Sequence, residues 1–160
     1  MYKKMCVVIS SLSIAVAAPA PVLAQAAAPK TITQGVASMT NQEAWKLYQQ
    51  YIGAWNSTSI EQRVNVAGEI LTENIEYQTV RHALGTGRAQ VIADMATFHE
   101  KFPGGHFEIG DVSAHHDVAL LTWVIITADG KEFARGHDQL TVDRHGKIVK
   151  IITFGPSVKI

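Results

Sequence analysis

Residues 115–154, HHDVALLTWVIITADGKEFARGHDQLTVDRHGKIVKIITF, decide the fold. Val118, Leu120, Thr122, Val124 and Ile126 alternate with Ala119, Leu121, Trp123, Ile125 and Thr127. Both sets are apolar or β-branched, the composition of a strand covered on both faces. Ala128-Asp129-Gly130-Lys131 is a hairpin turn carrying the Asp-Gly signal. The next strand, Glu132–Val142, mixes Phe133, Leu140 and Val142 with Arg135, His137 and Asp138. Asp143-Arg144-His145-Gly146 turns the chain again, into the largely β-branched strand Lys147–Phe154. Three such strands form an antiparallel meander, which needs a covering layer.

The residues upstream supply that layer. A first helix begins at Thr40 or Asn41, with Asn41 as N-cap and Glu43 in the first turn. Trp45, Tyr48, Ile52 and Trp55 recur on one helical face, flanked by Tyr51. Asn56-Ser57-Thr58-Ser59 ends it, and Ser59 caps a second helix with Gln62 at its third position. Val64, Ala67, Ile70 and Leu71 form that helix's apolar side. Asn74–Val80 alternates as a short strand, and residues 81–88 form a loop. A third helix runs from about Ala89 to Lys101, with Ile92, Met95, Ala96 and either Phe98 or His99 inward. Pro103-Gly104-Gly105 stops it, and Phe107–Val112 starts the sheet. Helices on one face of a curved antiparallel sheet make an α+β fold.

Residues 1–26 form a secretory signal peptide. Lys3 and Lys4 precede the apolar run Cys6–Ala18, and small residues near Ala24 and Ala26 offer the cleavage site. Pro19, Pro21 and the shortness of the run argue against a membrane anchor. The single cysteine, Cys6, leaves with the signal. The mature chain therefore has no disulfide, thiol nucleophile or thiolate metal site. Export without cysteine points to a periplasmic or secreted protein, with a bacterial periplasm the better fit. Residues 27–39 read as a small-residue linker, and 40–160 as one domain. Of 14 basic residues two leave with the signal, so 12 face 14 acids. That balance excludes the electrostatic footprint of a nucleic-acid or anionic-membrane binder. His115 and His116 point to opposite faces in a strand, a poor chelate. No metal and no cofactor is expected.

Asp138 is the residue with the clearest chemical promise. If Leu140 and Val142 face the core, Gly136 and Asp138 face it too, since side chains alternate with period two. A register slip of one residue would present Gln139 instead. A carboxylate among apolar neighbours has a raised pKa and exchanges protons near neutrality. The competing readings are a structural carboxylate bonded to Trp123 or Tyr77, and an edge charge in water. Trp123 and Tyr77 each bring a donor to a pocket ligand, or simply pack in the core. His99 follows Met95 by one turn, in reach of a pocket mouth as a base, and His82 sits in the loop that would rim the pocket. Arg63 and Arg88 read as ion-pair residues.

Several of these features, in this order and spacing, resemble the SnoaL-like members of the nuclear transport factor 2-like superfamily. They are Tyr51…Ala54-Trp55-Asn56, Arg63, Tyr77, Gly87-Arg88, Phe102-Pro103-Gly104, Trp123, Gly136…Asp138 and Asp143…Gly146-Lys147-Ile148…Phe154. The superfamily also holds ketosteroid isomerases, polyketide cyclases, scytalone dehydratases and epoxide hydrolases. The resemblance covers nearly all of residues 41–155. It implies a cone-shaped half-barrel, with three helices on the concave face of a curved antiparallel sheet and one blind apolar pocket between them. It also implies that the first helix, with Tyr48 and Trp55, lines that pocket; Met95, inward on the third helix, and the donors Tyr77 and Trp123 read as further ligand contacts. Asp138 matches an aspartate that polyketide-cyclase relatives use as acid/base; His99, read from its spacing after Met95, is the second candidate catalytic residue. His137 falls on the outer sheet face, where many relatives dimerise, so a homodimer around His137, Gln139, Val124 and Ile126 is expected.

Fold alone does not define chemistry. One expectation is a cofactor-free enzyme doing acid/base chemistry on a small apolar or carbonyl-bearing molecule: isomerase, cyclase, dehydratase or hydrolase. The other is a non-catalytic periplasmic module that binds such a molecule or serves a structural role.

Overall fold

Thr40 caps the first helix. Its hydroxyl accepts from the Glu43 amide at 3.2 Å, and the Glu43 carboxylate accepts from the Thr40 amide at 2.8 Å, a reciprocal capping box. Asn41, expected as the cap, instead accepts from the Ala114 amide at 2.7 Å and ties the helix start to the sheet. The computed structural model describes residues 38–156. The signal peptide and nearly all of the linker lie outside the described residues.

The elements are α1 (Asn41–Asn56), α2 (Ile60–Ile70), β1 (Leu71–Gln78), β2 (Gly85–Thr86), α3 (Arg88–Lys101), β3 (His106–His115), β4 (Val118–Ile126), β5 (Glu132–Val142) and β6 (Ile148–Phe154). Ser59 caps α2 as expected, accepting from the Gln62 amide at 3.2 Å. The three meander strands fall where the sequence placed them, to within a residue.

The sheet order is β2-β1-β6-β5-β4-β3. Every neighbouring pair is antiparallel except β1 and β6, which run parallel. The sheet is therefore mixed where a wholly antiparallel one was expected. After β1 the chain crosses through α3 to the far edge and returns by the four-strand meander, so β6 reaches β1 running the same way. Register shifts interrupt β3 between Ile109 and Val112 and β5 between Thr141 and Val142. Such bulges increase local twist and bend the sheet into an open, curved surface.

The three helices cover one face of that surface. Ala119, Leu121, Trp123 and Ile125 of β4 meet Tyr48, Tyr51, Trp55, Val91, Met95 and Phe98 in a single core. The expectation that β4 is covered on both faces holds only for this inner side. Leu120 is 50% exposed, and Val118, Thr122, Val124 and Ile126 are half-buried, because no element among the described residues packs over them.

On α2 the buried stripe is Arg63, Ala67 and Ile70, at helical spacing, while Val64 is 46% exposed. Arg63 makes no ion pair among the described residues, and its Nε and Nη1 are buried without partners. Arg88 donates to the Leu71 carbonyl at 3.2 Å and also reaches the Gly68 carbonyl, closing the end of α2. The expected ion pairs for both arginines are thus replaced by burial and by carbonyl contacts.

Candidate functional site

Asp138 lies on β5 opposite Leu121 of β4 and Thr153 of β6. Gly136, Leu140 and Val142 are buried with it, and Gln139 takes the outer face. The pairing register therefore presents Asp138 to the inside, where it is only 4% exposed. Its Oδ2 accepts a hydrogen bond of 2.8 Å from the Tyr48 hydroxyl. Its Oδ1 is buried and has no hydrogen-bond partner. Burial pushes the carboxyl up to about 6, against the smaller opposing pull of Thr153, Tyr48 and Trp123 beside it. Burial likewise raises the phenols of Tyr48, Tyr51 and Tyr77 well above their ordinary range, so all three stay neutral donors.

Asp138 borders a cavity of about 320 Å³. Aromatic rings make much of its wall. Trp55 stands edge-on to Phe98 and Phe107 at centroid distances of 6.2 and 5.3 Å, and Phe107 meets Trp123 at 5.7 Å. Phe102 and Phe133, 4.8 Å apart, continue the wall outward. Trp123 is held in place by a missing side chain. A Cβ on Gly136 would lie 2.2 Å from its Cζ2, and one on Gly155 3.2 Å from the same atom. Two glycines thus let the indole lie flat over β5 and the end of β6.

Of the expected site residues, Asp138, Trp55, Tyr77 and Trp123 line this cavity. Tyr48 does not; it sits in the core behind Asp138 and reaches the cavity only through that carboxylate. Met95 is fully buried in the core and is also not part of the lining. His99 lies outside the lining too. Its ring packs against Phe98 at 5.4 Å, and its buried Nε2 has no partner. Phe98 is the α3 residue that faces the cavity.

A second buried carboxylate escaped the sequence reading. Asp94 is 5% exposed and accepts from the Tyr77 hydroxyl at 3.1 Å and from Gln90 at 3.2 Å, with His82 Nε2 at 3.0 Å. The signal was available: Val91, Asp94, Met95 and Phe98 follow helical spacing. A carboxylate on an apolar stripe is the same anomaly that marks Asp138. Tyr77 spends its hydroxyl proton on Asp94, so the group expected to bond Asp138 or a ligand is already engaged. Among the described residues no group of three or more His, Cys, Asp or Glu side chains is gathered as a metal ion requires.

Three helices on a curved sheet, with an aromatic-walled cavity and one buried carboxylate against it, define a small cone-shaped α+β protein of the nuclear transport factor 2-like kind. The sequence profile of the SnoaL-like domain matches residues 48–151. This chain belongs to the SnoaL-like domain family. It is similar to a suspected isomerase of that family from Agrobacterium tumefaciens strain C58, at 27% identity over 71% of this chain and 97% of that one, with a TM-score of 0.66. It shares its fold with a suspected ketosteroid isomerase from Kribbella flavida, at 20% identity, 75% and 82% coverage, and a TM-score of 0.55. A de novo designed protein with a curved β-sheet has the same fold at 16% identity, 74% and 89% coverage, and a TM-score of 0.58. The architecture can evidently be specified without natural chemistry. No curated protein matches the chain.

Proposed function

We propose that the protein binds a small apolar, carbonyl-bearing molecule in the cavity and moves one proton on it, with Asp138 as the acid/base and no cofactor. The observation that carries this reading is the asymmetry of Asp138: Oδ2 is held by Tyr48 at 2.8 Å while Oδ1 is buried, unpartnered and part of a cavity-lining residue. A general base needs a positioned lone pair and a pKa near the working pH. The elevation to about 6 provides the second.

In the simplest such step, ionised Asp138 takes a proton from a carbon next to the ligand's carbonyl. The electrons of that C–H bond pass into an enolate, and the neutral carboxylic acid returns the same proton at another carbon. Atoms and charge balance without a co-reactant. The Tyr48 hydroxyl holds the carboxylate through the cycle, and the indole of Trp123 borders the reacting region. The A. tumefaciens protein, at 27% identity, is described as a suspected isomerase.

The test is a panel of β,γ-unsaturated ketones followed by the ultraviolet absorbance of the conjugated product. Wild-type protein should convert at least one, and Asp138→Asn should lose about 100-fold or more. Equal rates for both proteins would sink the proposal.

A non-catalytic binding role is the second reading. It is favoured by the absence of His99 from the cavity lining, which leaves Asp138 without a histidine or second carboxylate beside it there. The proposal also includes export to the periplasm and a homodimer through the outer sheet face. Export rests on Lys3, Lys4 and the apolar run of residues 1–26. The dimer rests on an uncovered face carrying Leu120 at 50% and Phe154 at 53% exposure beside half-buried Val124 and Ile126.

A further inference from the structure

The charges around the cavity are not evenly placed. At its buried end stands Asp138. Its exposed rim carries two cations, Arg81 and Lys101, among the apolar side chains Val80 (67% exposed) and Phe133 (61%). Among the described residues no other charged side chain lines the cavity. Neither rim cation forms an ion pair among the described residues. Asp94, the other buried acid, is engaged by Tyr77, Gln90 and His82.

From this polarity we infer that the ligand is an amphipathic acid: an apolar body ending in a carboxylate, sulfonate or phosphate that stays at the mouth between Arg81 and Lys101. This rests on the reading of the cavity as a ligand site and narrows the ligand class. A neutral ligand would draw nothing from two unpaired cations. An anionic group driven to the buried end would meet the Asp138 carboxylate in a low-dielectric wall, where like charges repel strongly. The same field therefore fixes orientation. The acid stays in water contact at the rim, the apolar end enters first, and the atoms presented to Asp138 are those remote from the ligand's own charge.

A matched pair of fluorescent probes tests this. 8-Anilino-1-naphthalenesulfonate and N-phenyl-1-naphthylamine share one apolar body and differ by the sulfonate. Wild-type protein should bind the sulfonate roughly five- to tenfold more tightly, as two solvent-exposed ion pairs provide. That ratio should fall to about one in the Arg81→Gln/Lys101→Gln double variant, and also in about 0.5 M sodium chloride, which screens exposed charges. Ala134→Phe, which fills the cavity wall, should weaken both probes and so place them inside. A ratio near one in wild type, a ratio that survives the double substitution, or sulfonate binding that survives Ala134→Phe would each overturn the inference while leaving the cavity reading to stand on the neutral probe. Failure of both probes to bind would overturn the cavity reading and the inference together.

Discussion

The Tyr48 hydroxyl donates to Asp138 Oδ2 at 2.8 Å across 90 residues of sequence, joining the middle of α1 to the middle of β5. The contact satisfies one lone-pair region of a buried carboxylate and leaves its other oxygen unpartnered. A group held this way is both a stability liability and a candidate for proton transfer, and the two properties are separable by substitution.

Asp138→Asn should abolish turnover and leave the fold intact, since asparagine keeps the shape and an accepting oxygen but exchanges no proton. It should also stabilise the protein above neutrality. The folded carboxyl is raised from 3.8 to about 6, so its protonated form is favoured by folding. The stability this gives is fully present below pH 3.8 and is lost as pH rises through about 6. The rise corresponds to a ceiling of about 3 kcal/mol at pH 8. Urea unfolding of both proteins at pH 4 and pH 8 should show the variant gaining on wild type only at the higher pH. A clear drop in melting temperature for the variant at neutral pH would leave Asp138 as a structural acceptor.

Tyr48→Phe should act in the opposite sense. Loss of the donor removes an interaction that lowers the Asp138 pKa, so the carboxyl should titrate higher still. The variant should lose about 1–3 kcal/mol at neutral pH, where a buried carboxylate is left unsatisfied. The loss should shrink near pH 4, where the carboxyl is protonated in both proteins. A carbon-detected NMR titration of the Asp138 carboxyl checks the direction; an unchanged or lower midpoint contradicts the role given to Tyr48.

Gly136→Ala should displace Trp123. The added Cβ would lie 2.2 Å from the indole Cζ2 and 2.3 Å from the Phe154 carbonyl oxygen, neither of which is the flexible end of a side chain. Overpacking of this kind costs about 1–3 kcal/mol. Chemical unfolding combined with tryptophan emission should report both the loss and a changed Trp123 environment. Wild-type stability would mean the indole moves freely and the platform is not a constraint.

Leu120→Asp and Phe154→Asp should each yield monomers. Both residues are about half exposed in the single chain and lie on the face opposite the helices. A charge at the centre of an apolar interface stays unpaired when buried. Sedimentation equilibrium should give a dimer for wild type and a monomer for either variant. A monomeric wild type at micromolar concentration contradicts the interface.

Export should remove about the first 24–26 residues. Intact-mass measurement of protein recovered from a periplasmic fraction should show the new N-terminus near Ala24 or Ala26. Recovery of the chain starting at Met1 contradicts a cleaved signal.

Local pattern by itself determined the helices, the meander and the shared face of Gly136, Asp138, Leu140 and Val142; the pairing register decided that this face, and not that of Gln139, turns inward. Period-two alternation through Gly136, Asp138, Leu140 and Val142, and turn signals at Gly130 and Gly146, depend only on neighbours in sequence. The tertiary structure decided what those residues meet. The parallel pairing of β1 with β6 depends on the route of α3 and β3, which no local pattern encodes. Whether Arg63 or Val64 was buried turned on the rotation of α2 about its axis, set by packing against its neighbours rather than by the helix itself. Tyr48 and Trp55 share one apolar stripe, yet only Trp55 reaches the cavity while Tyr48 reaches Asp138. Tyr77 was committed to Asp94, and His99 was left outside the lining, by contacts between elements distant in the chain. Hydrogen-bond partners and cavity walls depend on distances between elements to within an ångström, and those distances exist only once the whole chain has packed.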